Sequence, residues 1–167
     1  MKRSSIAHIN CSIAQTLDVV GEWWTLLVVR DIMLGHRRFE AIQADLGIAR
    51  NILTDRLNTL VENGIVDRIR YQVSPDRYEY QLTRRGKDLF PVMIALMNWG
   101  DRWIPMPSGQ PIRAIHTGCG GDIETRMICM SCGEHVADKA AHAIAGPGAT
   151  VGKGTAVVAR FIERAVD

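Results

Sequence analysis

The segment from Leu53 to Leu82 constrains the fold more than any other part of the chain. Apolar residues recur at helical spacing in its first part, and Gly64 follows as a residue typical of a helix end. Two β-rich runs come next, joined by the turn sequence Ser74-Pro75-Asp76-Arg77. A helix followed by a hairpin in this order predicts a winged helix, with a recognition helix over residues 50–63 and a wing over residues 68–81.

Positive charge is concentrated on this hairpin. The whole chain has a formal net charge of only +2, which is too small to identify a nucleic-acid-binding protein. Between residues 68 and 87, however, the only acidic side chains are Asp76 and Glu79. A helix that can enter a groove, followed by a basic hairpin that can hold phosphates, favours DNA binding over the alternative of a solvated basic face. The basic residues are Arg68, Arg70, Arg77, Arg84, Arg85 and Lys87.

The recognition helix is predicted to have one apolar and one polar face. Its apolar stripe comprises Leu53, Leu57, Leu60 and Val61, and we expect this stripe to pack inward. The opposite face carries short donors and acceptors that suit base edges and phosphates. Arg56 flanks the stripe and is predicted to contact DNA backbone or a neighbouring helix. The residues assigned to DNA binding are Arg38, Arg50, Asn51, Thr54, Asp55, Arg56, Asn58 and Arg77.

Three further helices are predicted before the recognition helix. The first runs from Ser12 to Val20, with Ser12 at or near its cap, and the second from Glu22 to Leu34. The second is nearly all apolar and is therefore expected to be buried. A third helix from Arg38 to Leu46, followed by a turn at Gly47-Ile48, would complete a helix-turn-helix. The predicted fold is mainly α with a small β wing.

After the wing, Thr83 is predicted to cap a long helix that extends to Trp103. Pro91 lies inside it and should kink it or start a new helix. The apolar residues of this helix occupy more than one face, so the domain's own core cannot bury all of them. A second copy of the chain could cover the extra face, and the C-terminal segment is the alternative cover. The predicted dimer interface comprises Leu89, Val92, Met93, Leu96, Met97, Trp99 and Trp103.

Four blocks of sequence, in register over residues 11 to about 104, resemble the HxlR-type family of bacterial winged-helix transcription regulators. The chain departs from the family pattern at Glu22-Trp23-Trp24, where Gly-Lys-Trp is frequent, and at Ala49, where Ser or Thr usually precedes the recognition helix. The blocks are Cys11–Trp24, Gly35–Ile42, Leu53–Leu60 with Gly64–Arg68, and Tyr80–Pro91.

The resemblance implies a homodimeric transcription regulator that binds double-stranded DNA and is not an enzyme. It implies pairing through the terminal helices and regulation by a small-molecule or redox effector. It also implies a hypothesis for Cys11, because a cysteine at this place serves some family members as an oxidant sensor. A buried structural cysteine is the alternative. DNA binding that does not change with peroxide, quinone or diamide would exclude the sensor hypothesis.

No segment of the sequence reads as a membrane span or a secretory signal. The longest apolar stretch, residues 23–34, is interrupted by Arg30 and Asp31 and is too short to cross a bilayer. No apolar region follows the basic N-terminal residues Lys2 and Arg3. The expected location is the cytoplasm.

The composition changes after residue 104, where Pro105, Pro107 and Pro111 indicate a linker. This divides the chain into a winged-helix and dimerisation domain over 1–104, a linker over 105–114, and a small Cys/His module over 115–145. Residues 146–167 are predicted to form a Gly-rich connector and tail. The connector lacks the pattern of a phosphate-binding loop, because Pro147 and Gly154 stand where that loop needs Gly and Ser or Thr.

The small module contains the pattern H-x2-C-x9-C-x2-C, which predicts a zinc-ribbon-like site. Zinc prefers four nitrogen or thiolate ligands in a tetrahedron, and two pairs of ligands on tight turns supply them. Three alternatives stay open: His135 as the fourth ligand, an empty degenerate site, and a cytoplasmic dithiol redox protein that uses Cys129 and Cys132. A protein-interaction module that docks through the wing is a further alternative. The predicted ligands are His116, Cys119, Cys129 and Cys132.

Overall fold

A computed structural model describes residues 5–104 and 106–158, and it is a mainly helical winged helix-turn-helix. Pro105 of the predicted linker and residues 159–167 of the predicted tail lie outside the described residues, as do residues 1–4. The helices are α1 (Ser12–Val20), α2 (Trp23–Met33), α3 (Phe39–Leu46), α4 (Arg50–Glu62), α5 (Arg84–Lys87) and α6 (Phe90–Trp103), and the strands are β1 (Val66–Val73) and β2 (Asp76–Leu82).

The predicted helices are confirmed with small differences at their ends. Cys11, in an extended conformation, is the N-cap of α1, so Ser12 is the first helical residue rather than the cap. Gly47 ends α3 in the left-handed region with a φ of 61°, which suits glycine because it has no Cβ. The recognition helix α4 begins at Arg50, although Ala49 makes no side-chain capping hydrogen bond. Its start therefore depends on tertiary packing.

The core lies where α2, α3 and α4 meet. Leu53, Leu57 and Leu60 of the predicted stripe are almost completely buried, and Val61 packs against the core from its edge. These residues pack with others from α2 and α3, where burial of each large aliphatic side chain contributes about 1.5–3 kcal/mol. The other fully buried aliphatic side chains of the described core are Val28, Val29, Ile42 and, from β1, Val66.

The expectation that α2 would be entirely buried is wrong at its first residue. Val28, Val29 and Ile32 face the core, but Trp23 is 86% exposed. Leu34, which caps the helix, is also exposed. An apolar sequence predicts burial, but the monomer has core contacts along only one side of α2.

The wing is a two-stranded antiparallel sheet, with Val66 opposite Leu82 and Val73 opposite Asp76. An irregularity between Arg70 and Gln72 shifts the register. The loop before α3 pairs with β2, because Arg38 forms an isolated bridge with Glu79 and the Tyr80 amide donates to the Arg37 carbonyl at 2.7 Å. This pairing fixes the wing relative to the helix-turn-helix.

Pro91 starts a new helix rather than kinking a continuous one. Thr83 is a helix cap as predicted, because its hydroxyl oxygen accepts a hydrogen bond from the Gly86 amide at 3.1 Å, but the helix that it caps is the four-residue α5 and not one long helix to Trp103. The same hydroxyl donates to the Gly64 carbonyl at 2.7 Å, which joins the end of the wing to the end of α4. Pro91 then occupies the first turn of α6, where its missing N–H is not needed.

We expect Gly86→Ala to destabilise the domain, because α5 lies directly against the start of the wing. A Cβ at this buried position would lie 2.2 Å from the Ile65 carbonyl oxygen, and backbone would have to move. The expected loss in free energy of unfolding is about 1–3 kcal/mol, measured by urea denaturation. Gly146→Ala is the control, since a Cβ there meets no atom within 4 Å. Equal stability of the two variants would contradict the close packing of α5.

The segment after α6 has little regular structure. It contains two short hairpins closed by isolated bridges, and the turns 138–140 and 156–158. Part of the predicted connector packs against the N-terminal segment, where the Asn10 side-chain amide donates to the Gly148 carbonyl at 2.8 Å and to the Thr150 hydroxyl at 2.6 Å. Within the described residues, no helix is both long and apolar enough to cross a membrane.

Candidate DNA-binding surface

The polar face of α4 and the wing border one groove, which we call the wing groove. Arg50, Thr54 and Asn58 line it from α4. All three are exposed, as are Asn51 and Asp55 on the neighbouring part of the helix. The folded chain therefore brings most of the predicted DNA-binding residues to one surface. The residues that line the wing groove from the hairpin include Arg68, Tyr71, Arg77 and Tyr78.

Three arginines at this surface lie over aromatic rings. The Arg68 guanidinium carbon is 3.7 Å from the centre of the Tyr78 ring. The corresponding distances are 4.7 Å for Arg38 over Tyr71 and 4.7 Å for Arg50 over Phe39. Such contacts attract the cation to the ring face and reduce the conformational freedom of a long side chain. The guanidinium groups are therefore positioned before any ligand arrives.

Acidic side chains balance some of these arginines but not all. Glu79 accepts a hydrogen bond from Arg38 at 3.1 Å, and Asp76 pairs with Arg70 at 3.3 Å. Arg77 stands at the exposed start of β2, and within the described residues it forms no ion pair. Arg68 also forms no ion pair there but lies over Tyr78, so Arg77 is the more available of the two to a phosphate.

Arg56 lies apart from the other predicted DNA-binding residues. Its guanidinium nitrogen is 3.9 Å from a carboxylate oxygen of Glu22, and its side chain is 22% exposed. This contact joins α4 to the start of α2. The structure thus places Arg56 at a neighbouring helix, one of the two positions that the sequence predicted.

Sequence reasoning did not single out the aromatic residues of this surface. Tyr71 and Tyr78 lie on opposite strands of the hairpin and both line the wing groove, and Phe39 holds Arg50. The interleaving of Arg and Tyr from residue 68 to residue 78 was the available signal. This interleaving can be interpreted only when the strand register is known, because the register decides which rings lie beside which arginines.

The predicted dimer residues divide between core and surface. Leu89 packs against the core of its own chain, and Met93 and Met97 are half-buried. Four exposed residues at positions i, i+4, i+7 and i+11 form one line along the helix, which we call the α6 stripe. Its members are Val92, Leu96, Trp99 and Trp103, of which the two tryptophans are 59% and 65% exposed.

The C-terminal segment contacts α6 without covering the α6 stripe. The Thr125 amide donates to the Asn98 side-chain oxygen at 3.0 Å, yet the stripe residues stay exposed in the described chain. Helix α1 adds an exposed pair, Ile13 and Leu17, one helical turn apart. The sequence prediction did not include this pair.

Cys11 lies at the start of α1, as the sensor hypothesis requires, and is partly buried. Its carbonyl accepts the Gln15 amide at 2.9 Å, and its own amide donates to the Ile9 carbonyl at 2.8 Å. The thiol makes no disulfide within the described chain.

The predicted metal ligands form two separate pairs. His116 Nδ1 lies 3.3 Å from Cys119 Sγ in the first hairpin. In the second, the backbone amides of Cys132 and Ser131 point at the thiol of Cys129 and lower its pKa. The two pairs do not converge on one point, because no three of these ligand atoms lie within 4.8 Å of one another.

Within the described residues, a different trio meets that distance limit: Asp31, His36 and Asp45. Arg30 already occupies this cluster, since it donates to Asp31 at 2.6 Å and to Asp45 at 3.0 Å. Asp31 is only 1% exposed. Burial raises the pKa of Asp31, and the Arg30 guanidinium partly opposes that shift. This cluster is an ion-pair network that joins α2 to α3.

The helix-turn-helix and the wing lie within a segment that matches a known family. Residues 19–108 match the family model described as HxlR-like helix-turn-helix. The chain belongs to the HxlR-like helix-turn-helix family. An HTH-type transcriptional regulator of Mycobacterium tuberculosis is 44% identical over 137 residues, covering 82% of this chain and 87% of that protein. The family and its relatives are transcriptional regulators, so the chain is a regulator rather than an enzyme, and the dithiol alternative is not favoured.

Two solved structures of transcription-factor candidates are also similar to this chain. One, PA1607, is 32% identical with a TM-score of 0.76, covering 84% of this chain and 98% of that chain. The other, PA1374 from Pseudomonas aeruginosa, is 38% identical with a TM-score of 0.60, covering 84% and 95%. A match over 84% of 167 residues exceeds the length of residues 5–104. The similarity therefore continues beyond the winged helix.

Proposed function

We propose that this HxlR-like regulator binds a specific double-stranded DNA sequence as a homodimer. The observation that carries the proposal is the single surface shared by the polar face of α4 and the wing. On it, short polar side chains from Asn51 to Asn58 suit base edges. Aromatic rings hold Arg38 and Arg68 at the wing, where they suit phosphates, and Phe39 holds Arg50 beside the polar face of α4.

The dimer part of the proposal rests on the α6 stripe. Large apolar side chains that stand in one line on a helix favour a helical partner. Burial of their apolar surface stabilises the association by about 25 cal/mol per Å² removed from water. The C-terminal segment leaves this line uncovered within the described residues. A second copy brings an identical line, and two-fold symmetry lets each copy cover the other.

The dimer would place two recognition helices in successive major-groove segments. In helix-turn-helix dimers the half-sites are about 34–36 Å apart, one turn of B-DNA, or a multiple of that. The wings would contact backbone outside each half-site. Binding at such a site blocks or assists polymerase sterically. A bacterial regulator that acts on the chromosome works in the cytoplasm, so a cytoplasmic location is part of the same proposal. An effector that modulates DNA binding is a further part of it.

Selection of bound fragments from host genomic DNA by the purified protein tests the proposal directly. Recovery of one motif with two inverted half-sites is the expected result. Recovery of fragments without any shared motif, at an affinity that depends only on salt, would exclude sequence-specific recognition. Recovery of a motif with a single half-site would exclude the symmetric dimer.

Arg77→Ala should weaken binding to all DNA sequences alike. Arg77 lies in the wing and forms no ion pair within the described chain, so its loss should remove one phosphate contact. Each lost contact lowers the slope of log affinity against log salt by about 1. Fluorescence anisotropy at several salt concentrations measures this slope. Arg113→Ala, which removes an arginine already paired with Asp122, is the matched control. An unchanged slope for Arg77→Ala would show that the wing does not contact phosphate.

A further inference from the structure

The two hairpins after α6 have the same backbone structure, offset by thirteen residues. In the first, Ile115 bridges Asp122, and in the second, Ile128 bridges His135. The His116 amide donates to the Gly121 carbonyl at 2.8 Å, and the Cys129 amide donates to the Glu134 carbonyl at 2.9 Å. Each hairpin is therefore closed by the same bridge and the same hydrogen bond.

The turn inside each hairpin is also the same. The Gly120 amide donates to the His116 carbonyl at 2.8 Å, and the Gly133 amide donates to the Cys129 carbonyl at 2.8 Å. Both glycines are left-handed, with φ values of 73° and 74°. This turn brings the second and fifth residues of each hairpin together. Those residues are His116 with Cys119, and Cys129 with Cys132.

The first pair already has the spacing of two ligands on one zinc ion. Zn–S and Zn–N bonds of about 2.3 and 2.0 Å at a tetrahedral angle place the two donor atoms roughly 3.5 Å apart. His116 Nδ1 and Cys119 Sγ are 3.3 Å apart. The neighbouring glycines leave room for the pair, since a Cβ at Gly118 would lie 2.9 Å from the His116 ring.

We infer that the two hairpins form one tetrahedral zinc centre, with His116 and Cys119 from the first and Cys129 and Cys132 from the second. The connector 124–126 has three residues and spans at most roughly 11 Å. The two pairs are separate in the structure, so closing the centre requires one hairpin to move toward the other. Binding of one Zn²⁺ displaces the protons of three thiols, so zinc uptake releases protons.

The repeated hairpin structure argues against two alternatives, His135 as the fourth ligand and a dithiol redox site. His135 corresponds to Asp122, a bridge position away from the turn, so His116 and not His135 is the fourth ligand. A dithiol redox site would need only the second hairpin. It gives no reason for a first hairpin with the same backbone and a histidine–cysteine pair at the same positions.

The module needs such a crosslink because it has almost no core. Ile115, Met127 and Ile128 are more than half exposed, and Met130 is 97% exposed. Small units that bury so little apolar surface depend on metals or disulfides for stability. Zinc would supply that stability, because binding and folding share one free energy in such units.

The test uses the full-length protein, purified under reducing conditions without added metal. Elemental analysis should find about one zinc per chain, as one four-ligand centre requires. After chelation, titration with Co²⁺ should give the visible absorption of a tetrahedral thiolate site, saturating at one equivalent. Cys119→Ser, Cys132→Ser and His116→Ala should each lose retained zinc. Cys11→Ser and His135→Ala are the matched controls and should keep it.

Folding of each variant is checked by its far-ultraviolet circular dichroism and DNA binding. Hydrogen exchange should show that chelation loosens residues 114–136 and leaves the amides of α4 protected. Three results would overturn the inference: near-zero zinc together with no tetrahedral Co²⁺ spectrum, retention of zinc by Cys119→Ser, or loss of zinc in His135→Ala but not in His116→Ala. DNA binding by a zinc-free protein would leave the proposed regulator function intact, so the two failures are distinguishable.

Discussion

Replacing both Leu96 and Trp99 with aspartate is expected to convert the regulator into a monomer. Both side chains belong to the α6 stripe and are at least half exposed in the single chain. In a symmetric dimer, the two introduced aspartates of one copy would lie close to those of the other copy and away from water. Such juxtapositions of like charge cost several kcal/mol. The monomer itself should stay folded, because neither side chain belongs to the core.

Loss of the dimer should have a large effect on DNA binding. A dimer binds the second half-site intramolecularly, and linkage of this kind raises affinity by about 10²–10⁴-fold. The double variant should lose that factor on a two-half-site operator. Analytical ultracentrifugation measures the association state, and anisotropy titration measures the affinity. Ile144→Asp is the control, because Ile144 is an exposed apolar residue outside the helices. A dimeric double variant with wild-type affinity would show that the α6 stripe is not the interface.

Alanine at Arg50, Asn51 or Thr54 is expected to reduce sequence discrimination. These residues are exposed at the start of α4, and Arg50 and Thr54 also line the wing groove. Each lost base contact should cost about 1–3 kcal/mol on the selected motif and much less on unrelated DNA. The difference arises because phosphate contacts hold all sequences equally, whereas base-edge contacts exist only on the correct one.

The measurement is the ratio of affinities for the selected motif and a scrambled duplex at one salt concentration. Glu62→Ala is the control, since Glu62 is exposed at the opposite end of the same helix. The Thr54 variant requires a helicity check, because the Thr54 hydroxyl donates to the Arg50 carbonyl at 2.8 Å. If all three variants kept the wild-type ratio, α4 would not be the element that recognises the sequence.

Local patterns predicted the elements of the domain well. The spacing of Leu53, Leu57 and Leu60 predicted the buried face of α4, because helical periodicity depends only on positions along the chain. Thr83 was correctly predicted to cap a helix, although that helix is the short α5, and Pro91 was predicted either to kink the helix or to start a new one. Each of these features depends on residues within a few positions of one another. Only the structure could distinguish a kink from a new helix at Pro91, because the same proline is compatible with both.

Features that depend on distant residues were predicted less well. Apolar composition predicted burial for Trp23, but exposure depends on which elements cover it, and no described element does. Arg56 has the same charge as Arg50, yet Arg56 lies beside Glu22 of a distant segment and does not line the wing groove. The aromatic partners of Arg38 and Arg68 became apparent only with the strand register.

Residue types and local spacing predicted which side chains would carry the proposed chemistry: the polar face of α4, the basic hairpin, and two candidate ligand pairs with two intervening residues each. Tertiary structure decided which of them share a surface. It brought Arg38 to the wing through a bridge with Glu79, left the α6 stripe exposed, and gave the two ligand hairpins one common backbone. The physical reason is that helix and turn formation are local, whereas contacts between elements depend on packing across the whole chain.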